Sequence, residues 1–238
     1  MKTVLVTGGT RGIGAAMVRT FSAAGYSVAF TYINSEEAAD KLGKECGALA
    51  IKADSSVEDD VIFAVEKVKN TIGCVDILIN NAAISSFSLF TDITLDEWEK
   101  IFKVNVTGAF LYSKAVLPEM INKKQGRIIN ISSMWGITGS SCEVHYSASK
   151  AALIGMTKAL AKEVGPSGIT VNCITPGVID TDMNRTLSKD DIKALCNETP
   201  LMRIGLPSEV ADAALFLAGD SAAFITGEVM NINGGFLI

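Results

Sequence analysis

The sequence has few residues of the kinds that build metal sites and disulfides. It contains one histidine and five cysteines among 238 residues, and no two cysteines show the Cys-x-x-Cys spacing of a zinc ligand pair or a redox motif. An odd number of scattered cysteines is typical of reduced thiols in a cytoplasmic protein. We therefore expect no bound metal, no disulfides and a cytoplasmic location.

Long basic and long apolar stretches are also missing. The net charge is -5 and the largest basic cluster is Lys123-Lys124, so nucleic acid is not an expected partner. No apolar run reaches the ~18 residues of a membrane-spanning helix, and residues 3–6 look like a strand rather than a signal peptide. A chain that is 48% hydrophobic and lacks a linker favours one α/β domain over residues 1–238, with no membrane contact.

Apolar strand patterns alternate with helical patterns along the chain. Near-continuous apolar strands in such an alternation predict a doubly wound parallel sheet with helices on both faces. Ligands of these sheets bind at the carboxyl ends of the strands, and we interpret the polar, irregular segment 182–203 as a lid over that edge. The strand patterns occupy residues 4–6, 27–32, 48–52, 76–79, 127–132, 169–174 and 229–232.

The first strand runs directly into a glycine-rich turn, Thr7-Gly8-Gly9-Thr10-Arg11-Gly12-Ile13-Gly14, and a helical pattern follows it. At such a helix start, backbone N–H groups and the helix dipole favour a bound phosphate. Glycine can serve steric needs alone at a strand-to-helix turn. The position of this turn after the first strand nevertheless favours a dinucleotide site.

The end of the second strand bears on which dinucleotide binds. A site that prefers the unphosphorylated cofactor usually has an acid there to hold the ribose 2′-hydroxyl. The residues Thr31, Tyr32 and Ile33 include no acid, and Glu36 is the first one after them. Because Arg11 in the glycine turn can pair with a 2′-phosphate, the sequence predicts NADP(H). The alternative for Arg11 is an ordinary solvated arginine.

Residues 133–150 contain a serine, a tyrosine and a lysine that together suit proton transfer. Ser133 follows the fifth strand pattern, while Tyr146 and Lys150 are four residues apart in a helical pattern and so share one face. A cation one turn away should favour the phenolate and lower the tyrosine pKa, and a serine hydroxyl can orient a carbonyl oxygen. A Tyr-x-x-x-Lys pair arises by chance often enough that it needs support from elsewhere in the chain.

Two further side chains, those of Asn105 and Glu143, are candidates for a role in the site. Asn105 lies among apolar residues, and its amide must find partners if it is buried; an exposed asparagine is the alternative. Glu143 is the only acid in residues 133–150. If Glu143 faces the substrate pocket, it should attract a ketone that carries an ammonium group, although a solvated loop glutamate is the commoner situation.

These motifs have the order and spacing of the short-chain dehydrogenase/reductase family, which the chain resembles over essentially its whole length. The segments that carry the resemblance are the glycine turn, Asn80-Asn81-Ala82, Asn105, Ser133, Tyr146, Lys150 and Pro176-Gly177. The family implies a single Rossmann domain with a seven-stranded parallel sheet, a nicotinamide cofactor and usually a homotetramer. The apolar residues 236–238 also suggest a contact between subunits.

The resemblance implies a role for each matching residue. Tyr146 would be the general acid, Ser133 would orient the carbonyl, Lys150 would bind the nicotinamide ribose and lower the tyrosine pKa, and Asn105 would hold a water that relays protons to Lys150. The other residues would contact NADP(H): Gly8, Thr10, Arg11 and Ile13 at the phosphates, Asp54 at the adenine, Asn81 at a ribose, Ile179 and Thr181 at the nicotinamide carboxamide, and in addition Ala82, Pro176 and Gly177.

Within the family the chain is most similar to bacterial 3-oxoacyl-[acyl carrier protein] reductases, through its Arg-Gly-Ile-Gly, Gly-Arg-Ile-Ile-Asn-Ile and Gly-Ile-Thr-Val-Asn segments. The implied partner is acyl carrier protein, although only Lys124 is basic of the two docking positions, 124 and 167. Residues 132–136 and 141–144 instead resemble a reductase of a 5-aminopentanone group on elongation factor P. Another small ketone, or a nucleotide-sensing regulator without turnover, is a further alternative; the retained catalytic residues disfavour the regulator.

Overall fold

The computed structural model describes residues 1–184 and 188–238, and in it the apolar segments form a seven-stranded parallel sheet. The strand order is β3-β2-β1-β4-β5-β6-β7, and every neighbouring pair is parallel. This confirms the predicted doubly wound fold. The strands are β1 (Thr3–Val6), β2 (Ser27–Tyr32), β3 (Leu49–Lys52), β4 (Ile77–Asn80), β5 (Gly126–Ile131), β6 (Ile169–Pro176) and β7 (Val229–Ile232).

Helices separate the strands and cover both faces of the sheet. Within the described residues these are α1 (Gly12–Ala23), α2 (Glu36–Cys46), α3 (Glu58–Ile72), α4 (Leu95–Phe102), α5 (Gly108–Lys123), the short α6 (Trp135–Thr138), α7 (Val144–Val164), α8 (Lys189–Glu198) and α9 (Pro207–Ala218).

Two apolar cores lie on opposite faces of the sheet. In β1, Val4 and Val6 belong to the core beneath α1, α2 and α9, while Leu5 belongs to the core beneath α3, α5 and α7. All four residues of β1 and of β4 are buried. Burial on both faces explains why these strands read as continuous apolar runs rather than as alternating ones.

The strand order reverses direction beside β1, where the chain runs from β1 outward to β3 and then crosses back to β4. This reversal is the point at which open α/β sheets form a crevice outside the carboxyl ends of their strands. The loops after β1, β4, β5 and β6 all leave from that edge. The structure therefore brings the glycine turn, Asn81, Ser133 and Pro176 to one edge, as the sequence predicts.

The helices α4 and α5 are joined by a π-helical turn. Thr94 and Glu97 form a capping box at the start of α4. Lys103–Thr107 then adopts the π-helical turn before α5 begins at Gly108. Such turns insert one extra residue and often occur at functional sites. This one contains Asn105.

The segment interpreted as a lid is helical over most of its described residues, and residues 199–203 at its end are not helical. Asp182–Asn184 form a 3-10 turn and α8 follows, with Ser188 and Asp191 as its capping box. Residues 185–187 of the expected lid lie outside the described residues. The lid role stays a prediction. None of the helices in the described parts of the chain is long and apolar enough to cross a membrane.

Candidate active site

The glycine turn forms a cradle at the start of α1. Gly8 has a φ of 66°, a left-handed conformation that favours glycine. A Cβ on Gly14 would collide with the Gly8 carbonyl, so the turn can close on the helix only with glycine there. In the described structure, no side chain caps the α1 N-terminus at Arg11. Its first N–H groups are thus free for an anion.

The predicted phosphate residues lie around this cradle. Thr10 and Ile13 are half-buried, and Arg11 is exposed. Gly12 lies against the loop after β6, since a Cβ placed on it would be 3.1 Å from Thr181 Cγ2. The structure thus brings Thr181 to the glycine turn, from a sequence distance of about 170 residues.

The side chain of Asn81 is hydrogen-bonded to the glycine turn. Its Nδ2 donates to the carbonyl oxygens of Thr7 (2.9 Å) and Gly8 (3.0 Å). In return, Thr7 Oγ1 accepts the backbone N–H groups of Asn81 and Ala82, both at 2.9 Å. The side chain that was expected at a ribose therefore shapes the turn, and sequence reasoning did not single out Thr7 as its partner.

The ends of β2 and β3 form the side of the crevice where the sequence predicts the adenosine half. Thr31 Oγ1 accepts a hydrogen bond from the Gly8 N–H at 3.2 Å. The exposed Ile33 and Asn34 follow the strand, and Glu36 begins α2, so the strand tip carries no acid, as predicted. Asp54 is half-buried after β3, and its Oδ1 accepts from the Ser56 N–H at 2.8 Å.

The loop after β6 closes the nicotinamide side of the predicted site. Pro176 is the last residue of β6, and Gly177 donates its N–H to the Ile232 carbonyl at 2.9 Å. A Cβ on Gly177 would lie 2.8 Å from Asn233 Cα, which leaves no room for another residue. Ile179 is buried in a bridge to Gly205.

Ser133, Tyr146 and Lys150 meet at the carboxyl end of β5. Ser133 lies two residues beyond the strand, and Tyr146 and Lys150 lie one turn apart on α7, as predicted. Lys150 Nζ is 5.6 Å from the centre of the Tyr146 ring and donates to the Ile131 carbonyl at 2.8 Å. All three side chains are buried. They form a compact group of a hydroxyl, a phenol and an ammonium.

Burial dominates the pKa values of this group, whereas the sequence predicts that Lys150 lowers the tyrosine pKa. Desolvation raises the pKa of Tyr146 well above its usual value, and the nearby Ser133 hydroxyl lowers it only in part. Desolvation also lowers the pKa of Lys150 to about 8. The ammonium is bonded to the Ile131 carbonyl and does not offset the burial of the phenol. Tyr146 is therefore protonated at neutral pH, as a general acid must be.

Asn105 is buried and fully engaged. Its Nδ2 donates to the Ile84 carbonyl at 2.9 Å and to Ser149 Oγ at 3.0 Å, and its Oδ1 accepts the Ile84 N–H at 2.9 Å. Ser149 Oγ in turn donates to the Tyr146 carbonyl at 2.7 Å. Both amide hydrogens are used in these bonds, so the side chain ties the loop after β4 to the catalytic helix.

A buried polar network, which sequence reasoning missed, holds α7 against the sheet. Asn80 Nδ2 donates to Asn130 Oδ1 at 2.9 Å, and Asn130 Nδ2 donates to Thr157 Oγ1 at 2.8 Å. The only sequence signal is that both asparagines interrupt or end an apolar strand. Gly136 contributes as well, because a Cβ there would lie 2.8 Å from Ser132 Oγ, and that hydroxyl donates to the Lys150 carbonyl at 2.8 Å.

Glu143 is half-buried immediately before α7, so it is not the fully solvated loop glutamate of the alternative reading. Desolvation raises the pKa of its carboxyl, and its charge contributes to the raised pKa of Tyr146. The carboxylate is therefore close enough to the phenol to act on it electrostatically.

The cradle, the crevice and the proton-transfer group define a Rossmann-type dinucleotide site with an oxidoreductase centre. The arrangement fits a nicotinamide dinucleotide phosphate, because the uncapped helix end and the crowded glycines suit its pyrophosphate and the exposed Arg11 suits an extra phosphate. Bound there, the cofactor supplies the hydride.

The described residues contain no group of three or more histidine, cysteine or acidic side chains that could hold a metal ion.

Comparison with known proteins agrees with this reading of the site. The family model described as "Enoyl-(Acyl carrier protein) reductase" matches residues 8–237. The 3-oxoacyl-[acyl-carrier-protein] reductases FabG of Aquifex aeolicus and Escherichia coli are each 42% identical to this chain. Each alignment covers 98% of this chain and 96% of the relative. The protein belongs to the short-chain dehydrogenase/reductase family.

Two other relatives differ in what their names state. An acetoacetyl-CoA reductase of Shinella zoogloeoides is 40% identical over 235 residues, which cover 98% of each chain. Among solved structures, a blue fluorescent protein from a metagenomic library in complex with NADPH superposes with a TM-score of 0.94 at 38% identity, covering 100% of this chain and 98% of that one.

Proposed function

We propose that the protein is an NADPH-dependent carbonyl reductase that converts 3-oxoacyl groups, carried as thioesters on acyl carrier protein, into 3-hydroxyacyl groups. The observation that carries this proposal is the buried group of Ser133, Tyr146 and Lys150 beside an uncapped phosphate cradle. The names of the 42%-identical relatives support the thioester substrate.

The chain's own residues account for the proton in this reaction. Reduction of a ketone places negative charge on its oxygen, and the Ser133 hydroxyl can orient that oxygen towards Tyr146. Tyr146, which burial keeps protonated, gives its proton to the developing alkoxide. Lys150, whose Nζ lies 5.6 Å from the ring centre, would bind the nicotinamide ribose beside the phenol.

Within one chain, Lys124 gives little support for the docking of a carrier protein. Lys124 is exposed after the end of α5, whereas Ser167 adds no charge. A Cβ on Gly168 would lie 2.5 Å from the Lys124 carbonyl, so positions 124 and 167 are close together, but they precede β5 and β6 and lie at the edge of the sheet opposite to Ser133. One exposed cation contributes little by itself, and the coenzyme A thioester of the same acyl group is therefore a substrate to test in parallel.

A second candidate function is reduction of a ketone that carries an amine, as in 5-aminopentanone-modified elongation factor P. The desolvated carboxyl of Glu143, close to Tyr146, favours it. A substrate ammonium would relieve the cost of burying that carboxylate. The same charge would disfavour an anionic phosphopantetheine arm. Glu143 should therefore favour the ketone that carries an amine over the ketone that is linked to acyl carrier protein.

We also propose a homotetramer. β7 is the last strand in the sheet order, and an open edge strand readily pairs with another chain. Phe224 and Ile238 near this strand are fully exposed, and Phe216 on α9 is 44% exposed. Exposed apolar side chains beside an open edge favour burial against a second copy.

The catalytic assignment is tested with the Tyr146→Phe variant. The substitution keeps the ring but removes the proton, so turnover of acetoacetyl thioester should fall by about 10²–10⁴-fold, while the NADPH dissociation constant stays within about twofold. Tyr26→Phe is the matched control and should be near normal, because Tyr26 packs its ring against Phe21 far from the site. Near-normal turnover of Tyr146→Phe would refute the role.

Cofactor choice is tested by comparing Arg11→Ala with Asn81→Ala. Loss of a charge-assisted bond to the 2′-phosphate should weaken NADPH by about 10–100-fold and leave NADH unchanged. Asn81→Ala should weaken both cofactors by a similar factor, since it loosens the turn that both must use. Fluorescence titration measures all four affinities, and equal losses for both cofactors in Arg11→Ala would contradict the proposal.

The substrate is tested on Glu143→Gln with a panel of ketones under NADPH oxidation. If Glu143 binds the ammonium group of an aminoketone, KM for a cationic ketone should rise about tenfold, as for loss of a charged hydrogen bond. KM for acetoacetyl thioester should change little. Glu163→Gln, on the exposed far part of α7, is the control. A wild type that reduces acetoacetyl thioesters well and ignores aminoketones would reject the role of Glu143 and support the primary proposal.

The assembly is tested by sedimentation of the purified protein at micromolar concentration. We expect the mass of four chains of 25.1 kDa. A monomeric mass would contradict the proposal.

A further inference from the structure

The single histidine of the chain lies beside the reacting group without belonging to it. His145 immediately precedes Tyr146 in the first turn of α7 and is completely buried. Its Nε2 is 2.7 Å from Ser86 Oγ, and its Nδ1 has no hydrogen-bond partner within the described residues. A buried polar side chain that forms a single bond to a distant loop needs an explanation.

The loop that carries Ser86 follows β4 along the wall of the site. It is fixed at one end by the Asn105 amide, which bonds both backbone groups of Ile84, and at the other by the Ser88 N–H, which donates to the Cys142 carbonyl at 2.8 Å. Between these ends, residues 85–87 have no other hydrogen bond in the described structure than the one between Ser86 and His145. Among the described residues, that contact is the one hydrogen bond between the middle of the loop and α7.

We propose that His145 is a positioning residue, whose bond to Ser86 holds residues 85–87 against the catalytic helix and thereby forms the wall that receives the ketone. The inference rests on the proposed carbonyl reductase function. In the described structure none of the side chains of Ser133, Tyr146 and Lys150 bonds to residues 85–87, and Lys150 bonds to the Ile131 carbonyl of β5 instead. Release of the loop should therefore weaken substrate binding, because binding must then order the loop, and should leave the chemical step intact.

The pair is not a nucleophile and its base. A serine activated by histidine needs a third group that orients the imidazole through its other nitrogen, and none of the described residues bonds to Nδ1. The geometry supports holding a loop rather than acyl transfer to Ser86.

The positions of the two ring nitrogens allow a matched set of variants. A glutamine side chain can place its amide near the position of Nε2, whereas asparagine reaches only about as far as Nδ1. His145→Gln should therefore retain the bond to Ser86, and His145→Asn should lose it at similar polarity. Ser86→Ala removes the same bond from the half-buried loop, where the substitution leaves the core intact.

We expect Ser86→Ala and His145→Asn each to raise KM for acetoacetyl thioester by about 3–10-fold, the loss typical of one hydrogen bond. Their kcat and NADPH affinity should stay within about twofold, and His145→Gln should be close to wild type. The double variant Ser86→Ala with His145→Asn should be no worse than either single one. Additive losses, or a fall in kcat with unchanged KM, would overturn the proposal.

Hydrogen exchange of the peptide spanning residues 81–90 tests the same bond without any substrate. Exchange at Ser88 and its neighbours should be faster in Ser86→Ala and His145→Asn than in the wild type and His145→Gln. If the wild type reduces no ketone but exchange follows this pattern, the proposed function fails and the positioning bond stands. If exchange is the same in all four proteins, the positioning proposal fails whatever the activity.

Discussion

The structure depends on one constraint, the reversal of strand order between β1 and β4. Because both strands are parallel and buried on both faces, their connecting loops diverge at the carboxyl edge and leave a crevice there. The glycine turn and Asn81 lie on its two sides, and the hydrogen bonds from Asn81 Nδ2 to Thr7 and Gly8 join them. The cofactor cradle is thus a consequence of how the sheet is wound.

Burial of polar groups sets both the rigidity and the chemistry of the site. Asn130 and Thr157 are completely buried and bonded to each other, and an unpaired partner there would cost about 1–3 kcal/mol. Such a network fixes α7 in one position. The same desolvation that makes these bonds obligatory raises the pKa of Tyr146 and lowers that of Lys150. Burial thus keeps Tyr146 protonated at neutral pH, which is the state from which a general acid starts.

The substrate side of the crevice is built differently from the cofactor side. Family membership and the cradle account for a reductase that uses a nicotinamide cofactor, but a shared fold does not fix the ketone. Two polar side chains between Ser133 and Tyr146 are removed from water: Glu143 contributes a desolvated carboxyl and His145 a buried imidazole. Selectivity should therefore arise from this segment and from the loop that it holds.

The sequence by itself determined the sheet, the edge at which the candidate site lies and the candidate residues of that site, because strand periodicity, glycine turns and motif spacing are local signals. It also determined the turn-to-turn placement of Tyr146 and Lys150 on α7. Only the tertiary structure decided the hydrogen-bond partners and the pKa values of those residues. Asn81 and Asn105 find their partners in segments far along the chain, the contact of His145 with Ser86 spans 59 positions, and the pKa of Tyr146 follows burial rather than the cation next to it. These partners and pKa values depend on which distant atoms surround a group and exclude water from it, and a local sequence pattern does not predict those atoms.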